Sequence, residues 1–134
     1  MRDSSSDSRD ALLQSLRGVC AIHIAAVFAQ AVYAGQFLSG ETGPVRLHEV
    51  GAWIILMAAA AQLILTIIRG RFEVQALPLT LSSVAVLLCE GLQVGTGYGR
   101  FLAVHIPLAV LIFGGLVWQA IQLFRPRMPG KQPV

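Results

Sequence analysis

The stretch CEGLQVGTGYGRFLAVHIPLAVLIFGGLVWQ, residues 89–119, decides how the chain is read. A glycine-rich approach leads into a long apolar run, with His105 near its start. An earlier stretch, AGQFLSGETGPVRLHEVGAWIILMAAAAQ (residues 34–62), lies over it without a gap. A shift of 57 positions pairs Gln36 with Gln93, Gly40 with Gly97, His48 with His105, Ala52 with Ala109, Gln62 with Gln119 and Ile64 with Ile121. Alanine and isoleucine coincidences are cheap in so apolar a chain. The order Gln, Gly, His, Gln recurring at one spacing is not. The spacing predicts an internal repeat, two copies of one helical hairpin, each presenting one histidine.

Composition sets the class. The chain has 134 residues, 55% hydrophobic and 13% charged, whereas soluble domains carry about 25% charged residues. Apolar runs at 18–38, 47–68, 75–94 and 101–124 each meet the roughly 20 residues a bilayer span needs. The expected fold is all-α: an integral membrane up-down four-helix bundle built from two repeated hairpins, since short connections force neighbouring helices to be antiparallel. Residues 1–17 are expected as a cytoplasmic polar segment, 18–125 as the transmembrane domain and 126–134 as a cytoplasmic tail. No stretch is left for a soluble catalytic domain.

Charge placement gives orientation. Of the ten Lys and Arg residues, Arg2, Arg9, Arg17, Arg69, Arg71, Arg125, Arg127 and Lys131 flank one side of a four-span arrangement, and only Arg46 and Arg100 the other. The positive-inside rule then places both termini in the cytoplasm of a multi-pass plasma-membrane protein. The basic pI reports topology and contact with the lipid bilayer, not nucleic acid. Cys20 and Cys89 fall near opposite ends of their spans, far beyond the roughly 7 Å Cα separation a disulfide tolerates, so buried free thiols are expected.

Local signals fill in the path. Residues 1–10 are Ser/Asp-rich and expected to be disordered. Ala29-Gln30-Ala31 has the form of a signal-peptidase site, but the leader carries three Arg and three Asp, not the positive region of a signal peptide. Cleavage would also remove half of one repeat, so the first helix is expected to be retained. Pro44 and Pro78 sit at helix starts, where a missing N–H costs nothing. The Gly95–Gly99 cluster marks the end of the third helix, and Pro107 predicts a kink beside His105.

His48 and His105 are expected at one depth, on diagonal helices, facing each other across the bundle. Two imidazoles so placed suit the axial positions of one haem iron, making them the metal ligands of a haem b, one per chain. Arg46 and Arg100 lie two and five residues from the histidines and are suited to the haem propionates. Gln36 and Gln93 border the slot. Zinc fits less well, because two histidines supply half of its usual four ligands. His23 is expected near the cytoplasmic end of the first helix, in an interhelical hydrogen bond. Glu90, the one carboxylate well inside a span, is a candidate for proton relay or polar-substrate binding; a hydrogen bond to Tyr33, its equivalent in the repeat, is the structural alternative. Glu49 is placed at the surface, and Gln62, Gln119 and Gln122 join helices.

The Gln/Gly-rich outer helix end, short loop and histidine entering the next span resemble one four-helix half of haem A synthase. The likeness covers residues 18–125, with His48 and His105 at the ligand positions. The chain also resembles small four-span membrane proteins of actinobacteria. The resemblance implies the bundle and haem ligation, with Glu41 in the place of a loop glutamate important to that family and hence a second catalytic candidate. The loop SGETGPVR lacks the cysteine pair found in some members, His48-Glu49 stands where His-Arg is common, and only one half is present. Three functions follow as expectations: a cytochrome b-like electron-transfer or haem-handling protein, a haem-modifying oxidase formed as a homodimer, or a haem-free subunit of a larger respiratory or redox membrane complex.

Overall fold

The computed structural model describes residues 4–125. Four helices follow in order: α1 (Ser4–Leu38), α2 (Pro44–Gly70), α3 (Leu77–Tyr98) and α4 (Leu102–Phe124), with a 3-10 turn at Val74–Ala76 leading into α3. No strand occurs among the described residues. All four helices are long and apolar enough to cross a membrane. They match the four apolar runs to within a few residues except at the chain start and the end of α3. The expected cytoplasmic tail, 126–134, lies outside the described residues, as do residues 1–3.

The chain start corrects the sequence reading. Residues expected to be disordered are helical from Ser4 onward, and α1 runs 35 residues without a break. Asp7 sits in its first turn, where a carboxylate complements the helix dipole. Arg9 lies 5.8 Å from the Phe72 ring centroid, tying this extension to the α2–α3 connection. At about 1.5 Å per residue α1 is roughly 50 Å long, well beyond a hydrocarbon core of about 30 Å. α3 also continues through its glycines to Tyr98, and α4 runs unbroken through Pro107.

α1 and α3 end in the same capping motif. Glu41 N–H donates to Gln36 O and Gly40 N–H to Phe37 O; Phe101 N–H donates to Thr96 O and Arg100 N–H to Gly97 O. Both are Schellman turns, which place one residue in the left-handed region. That residue is Gly40, φ 101°, in the first case and Arg100, φ 57°, in the second. The 57-residue shift pairs Gly40 with Gly97, but the matching turn falls three residues later.

Each helix packs against its chain neighbours, and α4 closes against α1; α1 and α3, or α2 and α4, nowhere come within 8 Å Cα to Cα among the described residues. The interior is unusually polar. Leu16, Cys20, Leu79 and Leu123 form one apolar cluster, and Val86, Leu108, Ile112 and Leu116 another. Around them His23, Gln62, Thr66, Ser83, Glu90, Thr96 and Gln119 are also buried. The outside is as apolar as the core, with Ile22 67%, Met57 74%, Leu88 69% and Leu111 69% exposed. Contiguous exposed apolar surface of this extent is unfavourable in water and natural against acyl chains. The architecture is consistent with a multi-pass membrane protein. Cys20 and Cys89 are free thiols.

Candidate functional site

At the end of the bundle formed by the α1–α2 and α3–α4 connections, His48 and His105 face each other. Their ring centroids are 6.1 Å apart, with the ring planes at 57°. Each ring is held by the main chain of the helix beside it. His48 Nδ1 lies 3.2 Å from Gln30 O of α1, and His105 Nδ1 3.0 Å from Gln93 O of α3. A carbonyl can only accept, so Nδ1 carries a proton in both rings, and in the neutral imidazole Nε2 is the nitrogen with the lone pair. Metal-ligating histidines show this arrangement almost always, because the second hydrogen bond fixes the tautomer and raises the basicity of the free nitrogen.

His105 is clamped further. Gln93 Nε2 donates to His105 O at 2.9 Å, so Gln93 and His105 are tied in both directions, and Thr96 Oγ1 approaches His105 Nδ1 at 3.4 Å. Gly97 lets the ring come close: a Cβ there would stand 3.1 Å from His105 Cε1. Gly51 similarly leaves room for the Gln30 side chain, whose amide a Cβ would overlap. On the rim, Tyr98 OH donates to Glu49 Oε1 at 2.8 Å, linking α3 to α2 beside the histidines.

The other expected site residues distribute as follows. Arg46 and Arg100 are exposed at the histidine end, Arg100 in its left-handed turn. Gln93 is at the site, but Gln36 is exposed at the end of α1, its carbonyl used by the capping turn. Glu41 is exposed in the α1–α2 connection. Glu90 is buried and bonded to His23, not Tyr33: its Oε1 lies 2.7 Å from His23 Nε2. His23 therefore does make the expected interhelical bonds, with Gln62 Oε1 3.0 Å from its Nδ1. Gln62 Nε2 donates to Gln119 Oε1, and Gln119 Nε2 to Ser82 Oγ at 2.7 Å. The chain of bonds runs through all four helices.

Gln30 is the residue sequence reading missed. It supplies the carbonyl that holds His48, and its side-chain oxygen is buried without a partner. A signal existed: Gln30 lies seven residues after His23, two turns up the same face of an apolar helix. The three buried side-chain atoms without hydrogen-bond partners among the described residues are all acceptors: Gln30 Oε1, Glu90 Oε2 and Gln93 Oε1. No group of three or more His, Cys, Asp or Glu side chains could share a metal ion among the described residues, so a self-contained protein metal site of that kind is absent there. Two histidines leave a metal's remaining ligands to come from another source, such as a macrocycle.

No family model matches the chain, and no curated protein or solved structure matches it.

Proposed function

We propose that the chain is a plasma-membrane protein, an up-down bundle of two repeated hairpins with both termini cytoplasmic. It holds one b-type haem between His48 and His105 near the outer leaflet and serves electron transfer or haem handling. The observation that carries this is the histidine pair: two imidazoles from different helices, each with Nδ1 committed to a carbonyl, at a ring separation of 6.1 Å. Two imidazoles on opposite sides of one metal, at bonds of about 2 Å, have ring centres roughly 6 Å apart. Tilted ring pairs in ordinary packing also fall at about 4.5–7 Å, so spacing alone does not choose between the two. The hydrogen bonds favour ligation, since both rings keep the nitrogen that a metal would use.

The donor set fits the group. His48 and His105 would hold it, Gln30 and Gln93 hold those rings through their carbonyls, and Arg46 and Arg100 would meet the propionates. Bound haem supplies a one-electron centre. The chain's own residues orient the imidazoles. Both sites of positive charge at the rim remain in reach of solvent, as carboxylate partners should be.

Absorbance of the full-length protein purified from a haem-sufficient host tests this directly. A sharp Soret band with split visible bands in the reduced form is expected. Protein that folds and purifies from such a host without any Soret absorbance contradicts it.

A further inference from the structure

Glu90 and His23 close one end of the hydrogen-bonded chain that begins at Ser82, and the amide orientations along it give that chain a direction. Gln119 Nε2 donates to Ser82 Oγ, which turns Gln119 Oε1 toward Gln62 Nε2. With its nitrogen committed, Gln62 presents Oε1 to His23 Nδ1 at 3.0 Å. An amide oxygen can only accept, so Nδ1 carries a proton. His23 Nε2 then meets Glu90 Oε1 at 2.7 Å. A neutral Nδ1–H imidazole has a bare lone pair at Nε2, and so does a carboxylate oxygen. Two lone pairs do not sit this close without a proton between them.

The pair thus holds one proton more than a carboxylate beside a neutral histidine. It is the same proton whether drawn as acid and imidazole or as carboxylate and imidazolium. Burial requires it: His23 is 0% and Glu90 3% exposed, and Glu90 Oε2 has no partner. An anionic carboxylate there would carry an uncompensated charge in the bundle interior. The titratable neighbours are Cys20, a turn below His23 on α1, and Cys89, adjacent to Glu90 on α3. From α2 the Gln62 amide meets His23, and it is bonded in turn to the Gln119 amide of α4. Arg17, further down α1, is engaged by Leu123 O at 2.9 Å.

We propose that His23 and Glu90 form a proton-binding site inside the bundle, filled at neutral pH, whose proton is exchanged as the charge at the His48–His105 site changes. The two sites share helices. Glu90 is three residues, about 4.5 Å of rise, from Gln93, and His23 seven residues, roughly 10 Å, from Gln30. The carbonyls of Gln30 and Gln93 are those that hold the outer histidines. Carboxamides donate and accept but do not release protons, so Gln62 and Gln119 set the His23 tautomer and do not conduct. Exchange goes by the Glu90 side, where Glu90 Oε2 is an open acceptor. Loss of an electron from the outer site to a one-electron acceptor is accompanied by loss of the proton, and its return by uptake. The coupling rests on the haem proposed above; the proton site does not.

Nitrogen-15 NMR of the His23 ring in the full-length protein reads the site with or without haem. In the wild type Nδ1 is expected to be protonated at every pH, and the Nε2 resonance to shift at high pH as the shared proton leaves. In Glu90→Gln an amide N–H replaces the shared proton at Nε2, so the Nε2 resonance does not move with pH. In haem-loaded protein the midpoint potential is expected to fall as pH rises, by up to about 59 mV per tenfold change in proton activity, and to be flat in Glu90→Gln. A bare Nδ1 with the proton on Nε2 at neutral pH in the wild type overturns the proton site. A pH-independent potential in haem-loaded wild type overturns the coupling. Absence of haem removes the coupling together with the haem reading, while the NMR result still judges the His23–Glu90 site.

Discussion

His48 and His105, 57 positions apart in the chain, meet ring to ring with centroids 6.1 Å apart. The same spacing separates Gln62 from Gln119, and these two are hydrogen-bonded. On α2 and α4, therefore, residues that correspond under the shift also touch. The helices between them do not follow suit. His23 of α1 bonds Glu90 of α3 at a separation of 67, and the two capping turns correspond at 60. The bundle pairs equivalent polar residues where α2 and α4 face the interior, and unlike ones where α1 and α3 do.

Gly97→Ala should disturb the histidine pair with little effect on the helix itself. The new Cβ would stand 3.1 Å from His105 Cε1 and 3.4 Å from Nδ1, so the ring must move by a few tenths of an ångström. Reduced haem content or a shifted spectrum is expected. Gly95→Ala is the control, since a Cβ there meets nothing within 4 Å. Equal haem content and spectra in both variants would count against the close approach as a feature of the site.

Arg100→Gly should separate stability from binding. A non-glycine residue in the left-handed region costs roughly 1 kcal/mol, and Arg100 has φ 57°. The variant is expected to unfold at higher temperature or denaturant while binding haem more weakly, having lost a propionate partner. Unchanged haem affinity would remove Arg100 from the site.

Cutting the buried pair should be expensive. Removing one partner of a buried, hydrogen-bonded ion pair costs about 3–5 kcal/mol, which is the loss expected for Glu90→Ala and for His23→Ala in unfolding from detergent. Glu90→Gln keeps a donor for His23 Nε2 and should lose much less. A Glu90→Ala protein as stable as the wild type would mean that the His23 contact contributes nothing to the bundle.

Orientation is open to reporter fusions. A reporter that works only in the cytoplasm is expected to be active after Val134 and when inserted at Gly70. Activity of an export-dependent reporter at either position would invert the bundle and move the histidines to the inner face.

Helix number, approximate bounds and the histidine pair were legible because apolar run length and polar recurrence are local properties of sequence. The partner of Glu90 was not. The 57-residue shift makes Thr80 the equivalent of His23, at the basic end. In the structure Thr80 Oγ1 instead donates to Thr66 O of α2, and His23 reaches Glu90 ten positions further along α3. Longitudinal offset between helices depends on tilt and loop geometry, which a repeat cannot supply. The requirement that a polar group in an apolar interior find a partner was the usable signal. It marks His23, Gln30, Gln62, Glu90, Gln93 and Gln119 as one set, whatever their assumed depths. Gln36, assigned to the slot by its repeat position alone, is exposed.

The most direct test compares the low-spin haem spectrum and haem content of His48→Ala, His105→Ala and His23→Ala. Either outer substitution leaves iron with one strong protein ligand, so haem is expected to be lost or to turn high-spin in both. His23→Ala, whose ring is committed to Gln62 and Glu90, is expected to keep the low-spin spectrum in whatever protein folds. Intact low-spin haem in both His48→Ala and His105→Ala, or its loss in His23→Ala alone, would contradict the assignment.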